Sequence, residues 1–285
     1  MRYAIARKIQ TQEAVQLNKI LELSQENYDY LFSEEDEIRN LLTIKELFRI
    51  TQINHNTIKR FFEDYDKKMR ASRILIDPIL HLNRIRINSD FMNYLFSFRT
   101  YLDHCLTLYS RQYGSKSDEI NDFKSLCSQL FDENFEYRFF YKLRNFTQHC
   151  GLPIEIFKTK FSIREGKYDI QICCQIDPKQ LLKKYDEWGN IVKPELKSKS
   201  KLNNKIDVLT SVNNFNNHLK YLDNYFESIC EKHILPIKQK LLELINPETS
   251  LENLCITYFN AEGQTLIIDS VIKYIEHIET AYQKE

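Results

Sequence analysis

The sequence predicts a mainly α protein: a helical bundle with a small β-hairpin inserted after one central helix. Apolar residues recur at spacings of three and four over long stretches, which is typical of helices that pack on one face. Only five Gly and six Pro occur among 285 residues, too few for a chain of many tight turns such as a β-sandwich. The hydrophobic share of 42% indicates one large core or two modest ones.

Composition excludes several classes of protein and site. Forty Lys and Arg balance forty Asp and Glu, so any nucleic-acid binding must rest on a local patch. The N-terminus has no apolar leader, and no run is long enough to span a bilayer, so we expect a cytoplasmic protein without a membrane partner. Seven Cys without CxxC spacing are expected to be free thiols, and neither a zinc site, another metal site nor a cofactor is predicted.

Residues 1–80 are predicted to form an N-terminal helical region. Residues 10–32 have helical periodicity, and Ser33-Glu34-Glu35-Asp36 resembles a capping box that starts a second helix. The polar run 51–56 interrupts that helix. One interpretation is a DNA-binding helix-turn-helix over residues 43–66; the favoured one is two packed helices or one helix bent at a polar joint.

Residues 81–155 are predicted to form the helical core. A central helix is expected to start after Asn88-Ser89-Asp90 and to end at Tyr113-Gly114. On it Arg99 and Asp103 are four apart, so they either pair with each other or support a polar site. A short helix capped near Ser117 follows, and then a helix that Gly151 closes.

The period changes after residue 155. Residues 157–163 and 168–176 alternate as the two strands of a β-hairpin. Residues 186–205 are predicted to be a basic loop, either solvated or in contact with phosphates. Residues 206–285 are expected to complete the bundle, with one helix over 206–245 that Pro236 kinks or splits, short strands within 254–268, and a last helix over 269–283.

The helix that ends at Gly151 carries the strongest chemical signal. Two neighbouring stripes follow from helical spacing: the first is Arg138, Lys142, Asn145 and His149, and the second is Tyr137, Tyr141, Arg144 and Gln148. Arg144 and His149 therefore diverge by roughly 140° on a regular helix. Either the last turn unwinds so that His149 swings back, or a second copy of the chain brings its own Arg and His to this site.

Arg144-Asn145-x-x-x-His149 resembles the Arg-polar-x(3 to 5)-His motif of the HEPN superfamily, all-helical domains that include many ribonucleases of toxin–antitoxin, phage-defence and CRISPR systems. The resemblance covers residues 80–155, with 206–245 as a further bundle helix. It implies metal-independent RNA cleavage by attack of the ribose 2′-OH, at a site shared by two facing copies. His149 would act as general acid or base, Arg144 would hold the phosphate, and Asn145 would orient His149 or the RNA.

Helical spacing and local charge add supporting and binding residues to this site. Asp103, Arg99 and Gln148 are expected to support the site. The RNA backbone is expected to contact Arg138, Lys142, Lys197, Lys199 and Lys201. An antitoxin or regulatory protein is a further expected partner, although Gly151 stands where some toxins of the superfamily carry a Tyr that a nucleotidyltransferase partner modifies. The alternatives are an inactive HEPN-like module that binds RNA or protein, and an unrelated helical interaction protein.

Overall fold

A computed structural model of the chain describes residues 2–10, 15–33, 35–72, 79–164, 167–245, 253–259, 265–268 and 272. The protein is mostly helical with small antiparallel sheets, so the mainly α class is confirmed. The strands are β1 (Arg2–Gln10), β2 (Val15–Leu23), β3 (Ile156–Arg164), β4 (Lys167–Ile176), β5 (Ile206–Asp207), β6 (Leu254–Phe259) and β7 (Thr265–Ile268). The helices are α1 (Gln25–Ser33), α2 (Glu35–Ser72), α3 (Leu80–Gln112), α4 (Asp118–Glu133), α5 (Phe135–His149), α6 (Pro178–Lys184), α7 (Gly189–Lys201) and α8 (Val208–Leu244).

The chain forms two compact units. One comprises Met1–Lys45 and Phe226–Glu285, and the other comprises Glu46–Tyr225. Helices α2 and α8 each contribute residues to both units. This division differs from the four consecutive segments taken from the sequence, because the two ends of the chain fold together.

The first unit contains a four-stranded antiparallel sheet in the order β2-β1-β6-β7. The helix predicted over residues 10–32 was wrong: β2 occupies its first part, and α1 follows. Strand β2 pairs with β1, and β1 pairs in turn with β6, near the other end of the chain. The periodicity of residues 10–32 cannot indicate this sheet, because one of its strands is far away in the sequence. The short strands predicted within 254–268 are confirmed. The last predicted helix lies outside the described residues except for Ile272, which is helical.

The second unit contains the predicted β-hairpin, which is confirmed. Strands β3 and β4 pair in register from Ile156 with Gln175 to Arg164 with Lys167, and β5 adds two residues to β4. Phe157 of β3 packs against the ring of Tyr65 in α2 at 5.1 Å. Both sheets lie outside residues 80–155, the part of the chain that the resemblance covers, where α3, α4 and α5 follow one another.

Helix α2 runs without a break through residues 43–66. The helix-turn-helix interpretation was therefore wrong, because that motif requires a turn between two helices. Two of the polar residues that suggested a joint pair with α8: Gln52 bonds Asn216, and His55 bonds Asn213. A polar run inside a helix is compatible with continuity when its side chains find partners.

Helix α3 is central to the second unit, as predicted. Its buried residues include Phe91, Tyr94, Leu95, Phe98 and Tyr101. The predicted start after residue 90 was wrong, since α3 begins at Leu80. The next helix, α4, begins as predicted, and the hydroxyl of its N-cap Ser117 accepts from the Ile120 N–H at 3.3 Å.

The basic loop predicted over residues 186–205 was also wrong, because most of it is helix α7. Val192 and Leu196, four residues apart, are fully buried on one side of α7. The lysines that suggested a mobile loop are the polar part of an amphipathic helix. Helix α8 is one element with Pro236 inside it, so Pro236 does not split it.

Phe215 of α8 is the aromatic centre of the second unit. Its ring lies 4.6 Å from Phe98 and 6.1 Å from Tyr94 on α3, and 5.0 Å from Phe140 and 5.6 Å from Tyr137 on α5. These contacts fix α5 against α3 and α8 and thereby determine which side of α5 remains at the surface.

Candidate functional site

Helix α5 carries the predicted motif and ends where predicted, at His149. One side of it is an apolar face whose members are at most 1% exposed: Phe139, Phe140, Leu143 and Phe146. That burial holds α5 as a rigid element, so the polar residues on its other sides have fixed directions. Two neighbours, α3 and α7, flank the exposed side.

On the α3 edge, two arginines stack reciprocally on aromatic rings of the neighbouring helix. The guanidinium of Arg99 in α3 lies over the ring of Tyr141 in α5, at 4.3 Å from its centroid. The guanidinium of Arg144 in α5 lies over the ring of Phe96 in α3, at 5.6 Å. Each contact is worth roughly 0.5–1 kcal/mol at a partly exposed site. The pair therefore fixes the direction of the Arg144 side chain.

Arg99 also forms the ion pair with Asp103 that the sequence allowed. The Nε of Arg99 donates to Oδ2 of Asp103 at 2.9 Å, and a second contact joins Nη2 to Oδ1 at 2.9 Å. Asp103 is about half exposed. Pairing within α3 is therefore observed, and a supporting role for the pair stays a prediction. The pair lies beside Tyr141, one turn from Arg144.

On the α7 edge, Arg138 is used inside the fold. Its Nε donates to Oε2 of Glu195 at 2.9 Å, and its Nη2 bonds the other carboxylate oxygen. Its Nη1 donates to the carbonyl oxygens of Phe131 and Asp132, near the end of α4. A buried guanidinium with these partners ties α4, α5 and α7 together, and the structure thus gives Arg138 a role other than the RNA contact expected from the sequence.

Further contacts extend along the same edge of α5. The ammonium of Lys199 lies over the ring of Phe135 at 4.3 Å. The side chain of Lys142 lies against Gly189: a Cβ added at Gly189 would lie 3.5 Å from the Cε of Lys142. Trp188, fully buried, stacks on Phe146 at 5.8 Å. Helix α7 therefore runs antiparallel along α5, and Arg138 and Lys142 of the first stripe face it.

Arg99 and Arg138 each pair with a carboxylate, whereas Arg144 has no carboxylate partner among the described residues. Its Nη1 donates to Oδ1 of Asn145 at 3.4 Å, and its Nε is buried and makes no hydrogen bond. A half-buried guanidinium whose charge is balanced by no carboxylate is suited to hold a phosphate. The Asn145 amide therefore contacts Arg144, and its expected role of orienting His149 or the RNA stays a prediction.

His149 is exposed and occupies the last helical position of α5. The helix is regular to that point, because the Cys150 N–H donates to the carbonyl oxygen of Phe146 at 2.8 Å. The last turn therefore does not unwind. Both residues lie in the described part of the chain, and no hydrogen bond or ion pair joins His149 to Arg144.

The two motif residues consequently lie on different edges of α5. Helical geometry separates them by roughly 140° around the axis and about 7.5 Å along it. Arg144 lies on the α3 edge, and His149 continues the stripe of Arg138 and Lys142 on the α7 edge. Gln148 is exposed beside them and, within the described ranges, has no side-chain partner.

Two of the lysines predicted to contact RNA remain at the surface. Lys197 and Lys201 are exposed, four residues apart on α7, and neither forms an ion pair with any described carboxylate. Lys193 pairs with Asp186, and Lys205 pairs with Asp177 at 2.6 Å. The local charge of the segment is thus partly neutralised within the fold.

Sequence reasoning missed a buried polar cluster between α2, α3 and α8. Gln52 and Asn216 bond each other through both side-chain amides at 3.0 Å, and the hydroxyl of Tyr94 donates to Oδ1 of Asn216 at 3.2 Å. The ring Nε2 of His55 bonds Oδ1 of Asn213 at 2.9 Å. The signal that could have paired these helices is in two short segments rich in polar side chains, residues 51–56 and 213–217.

Burial lowers the pKa of His55. The nearby cations Lys59 and Lys220 act in the same direction, while the hydrogen bond to Asn213 opposes them. His55 is therefore held neutral inside the fold near pH 7. It is a structural histidine, in contrast to the exposed His149.

The described residues contain no cluster of three or more His, Cys, Asp or Glu side chains placed to hold a metal ion. None of the helices, where described, combines the length and the apolar character needed to cross a bilayer. Comparison of the chain with protein-family models, curated proteins and solved structures gave no significant match.

Proposed function

We propose that this protein is an endoribonuclease of the HEPN type, which cleaves RNA at a site that two copies of the chain assemble. The observation that carries the proposal is the regularity of α5 through His149, which leaves Arg144 and His149 of one chain on different edges. The guanidinium of Arg144, which pairs with none of the described carboxylates, and the exposed imidazole of His149 are the chemical groups such a site needs.

The proposed reaction is transesterification within the RNA. The ribose 2′-oxygen forms a bond to the adjacent phosphorus, the bond from phosphorus to the 5′-oxygen breaks, and the products end in a 2′,3′-cyclic phosphate and a 5′-hydroxyl. The His149 of one copy accepts the 2′-OH proton as general base, and water gives a proton to the leaving 5′-oxygen. Arg144 stabilises the negative charge that develops on the phosphate oxygens.

The neighbours of Arg144 have positioning roles in this proposal. Phe96 holds the guanidinium from the α3 side, and Asn145 bonds its Nη1. The Arg99–Asp103 pair fixes Tyr141 one turn away. Because these contacts exist before any substrate binds, Arg144 requires little reorganisation to receive a phosphate.

The first test is RNA cleavage in excess EDTA. We expect the wild type to cleave, and His149→Ala and Arg144→Ala each to lose at least about 100-fold in rate. Matched controls are His104→Ala and Arg111→Ala, since both are exposed residues of the same types on α3. Cleavage that survives both motif substitutions, or that the controls reduce equally, contradicts the proposal.

The second test separates a shared site from two independent ones. His149→Ala and Arg144→Ala proteins are mixed and allowed to exchange subunits. If Arg144 of one copy works with His149 of the other, half of the dimers are mixed and one of their two sites is intact, so about a quarter of the wild-type rate should return. No recovery after verified exchange contradicts the shared site.

A second candidate function is RNA binding without cleavage, and the exposed pair Lys197 and Lys201 favours it. Retention of labelled RNA should then weaken as salt rises. The double substitution Lys197→Gln with Lys201→Gln should make the slope of the logarithm of the binding constant against the logarithm of the salt concentration shallower, by the contribution of about two phosphate contacts. Substituting the exposed Lys59 and Lys67 of α2 is the matched control. Insensitivity to both the salt and the lysines would contradict this alternative.

A role in phage defence or in a toxin–antitoxin pair follows from the resemblance alone. In that role a regulatory protein holds the ribonuclease in check. The corresponding experiment is expression of the chain in a bacterial host: the wild type should arrest growth, and His149→Ala should not. Arrest by both proteins contradicts a toxic ribonuclease activity.

A further inference from the structure

Asn88 makes an unusual set of contacts for a residue in the middle of a helix. It is 1% exposed, and its side-chain amide binds both backbone groups of Ile154. The Nδ2 of Asn88 donates to the Ile154 carbonyl oxygen at 2.9 Å, and its Oδ1 accepts from the Ile154 N–H at 3.0 Å. The same Nδ2 donates to the carbonyl oxygen of Arg84 at 2.9 Å. All its polar atoms are therefore used, and two of these bonds cross to another segment.

That segment is the one that directly follows His149. After the helix ends, Gly151 and Leu152 are exposed, and Pro153 and Ile154 are buried. Gly151 has φ +134, a conformation that L side chains rarely adopt. Before His149, Phe146 and Thr147 are buried. His149 therefore lies on a short span anchored by Phe146 and Thr147 on one side and by Pro153 and Ile154 on the other.

Helix α3 consequently holds the motif at two points. At Phe96 it receives the guanidinium of Arg144, and at Asn88, about two turns earlier, it fixes the chain beyond His149. We propose that Asn88 is a positioning residue: its two bonds to Ile154 fix the segment that follows His149, and hence the direction in which this copy presents its imidazole to the shared site. This inference rests on the proposed ribonuclease function and assigns a role to a residue outside the motif.

The amide group is required by the chemistry of the contact. Ile154 presents one donor and one acceptor, and the Asn side chain offers the complementary pair in one plane. The substitution Asn88→Asp keeps an acceptor for the Ile154 N–H, but the new carboxylate cannot donate to either carbonyl while it is ionised. The substitution Asn88→Ala leaves both buried backbone groups of Ile154 without partners. Position 88 therefore offers a series in which Asn makes both bonds to Ile154, Asp keeps one, and Ala keeps none.

The test compares Asn88→Ala and Asn88→Asp with Asn216→Ala. Asn216 is an equally buried amide of the same unit, but its partners are Gln52 and Tyr94. Initial rates of EDTA-resistant RNA cleavage are measured against RNA concentration and against pH, at a temperature where all three variants are folded. We expect the Asn88 variants to lose about 10- to 100-fold in kcat, with KM within about twofold and a changed pH profile. Asn216→Ala should retain kcat and the pH profile.

A second measurement is independent of catalysis. Amide hydrogen exchange over residues 148–154 should accelerate in Asn88→Ala and remain as in the wild type in Asn216→Ala. Equal exchange in the two variants, or kcat values that fall equally, overturns the role of Asn88. Absence of cleavage by the wild type instead contradicts the proposed function, and the exchange result then decides alone whether Asn88 fixes this segment.

Discussion

The side-chain amides of Gln52 and Asn216 hydrogen-bond each other in both directions at 3.0 Å, within the hydrophobic interior shared by α2, α3 and α8. The Tyr94 hydroxyl adds a third bond, to Asn216. A reciprocal amide pair specifies the register of two helices, because sliding either helix by one residue would break both bonds. The pairing of α2 with α8 in the second unit is thus determined by polar as well as apolar contacts.

Substitution of one member of this pair should be more harmful than substitution of both. Asn216→Leu leaves the half-buried Gln52 amide and the Tyr94 hydroxyl without their Asn216 partner and should lower the free energy of unfolding by about 2 kcal/mol. The double variant Gln52→Leu with Asn216→Leu should recover about 1 kcal/mol of that loss. Urea unfolding followed through Trp188, the single tryptophan and fully buried, measures both. Additive losses would contradict a direct coupling.

Stability should fall as the pH decreases from neutral. Burial lowers the pKa of His55 and also of His218, where Glu136 opposes the effect. Because the unfolded chain then binds protons more readily than the folded one, the free energy of unfolding decreases as the pH falls through 6.5, the ordinary pKa of histidine. Thermal midpoints measured between pH 7.5 and about pH 5.5 should show this slope. His55→Gln should flatten it, and an unchanged slope would contradict the assignment to His55.

Arg138 and Arg144 should differ sharply in their effect on stability. Arg138→Ala leaves Glu195 without its bidentate partner and two carbonyl groups without a donor, at a cost of about 2–3 kcal/mol. Arg144→Ala removes one stacking contact and one long hydrogen bond, so about 1 kcal/mol or less is expected. Urea midpoints of the two variants check the difference. Equal losses would show that Arg144 has a structural role comparable to that of Arg138.

Phe215→Ala should be among the most destabilising single substitutions in the second unit. The ring contacts four aromatic residues on α3 and α5, and its removal leaves a cavity at the centre of the aromatic core. A loss of about 3–5 kcal/mol is expected from the urea midpoint and slope. The control is Tyr221→Ala on the same helix, where the ring is 56% exposed and the change should be within about 0.5 kcal/mol.

The elements that the sequence predicted correctly are those with local signals. Ser117 begins α4 with its own hydroxyl, Gly151 ends the turn after α5 with a positive φ, and the alternation of residues 157–176 produces the hairpin. Each of these signals acts within a few residues of the chain. The same locality gave the correct helix for Arg144, Asn145 and His149, and helical geometry gave their relative directions.

The elements that were wrong depend on distant partners. Tyr3 pairs with Tyr258 across the sheet, a contact that no window of the sequence near residue 3 contains. Polar residues such as Asn88 and Gln52 were taken as signs of a helix boundary. They lie inside helices, and their side-chain amides bond another element: Asn88 bonds Ile154, and Gln52 bonds Asn216. At the candidate site, the ion pair of Arg138 with Glu195 forms because α7 lies along α5. The lysine-rich composition of that segment had led to the prediction of a loop instead of a helix.

The divergence of Arg144 and His149 has a consequence for dosage. A site that needs both residues, each from a different copy, exists only in the associated form of the protein. At concentrations well below the dissociation constant of the pair, the amount of that form rises with the square of the total concentration. If the proposed ribonuclease assembles in this way, low copy number would keep it inactive without any inhibitor, and a modest rise in synthesis would activate it. The regular last turn of α5 would thus make activity depend on association, and the dissociation constant would set the threshold.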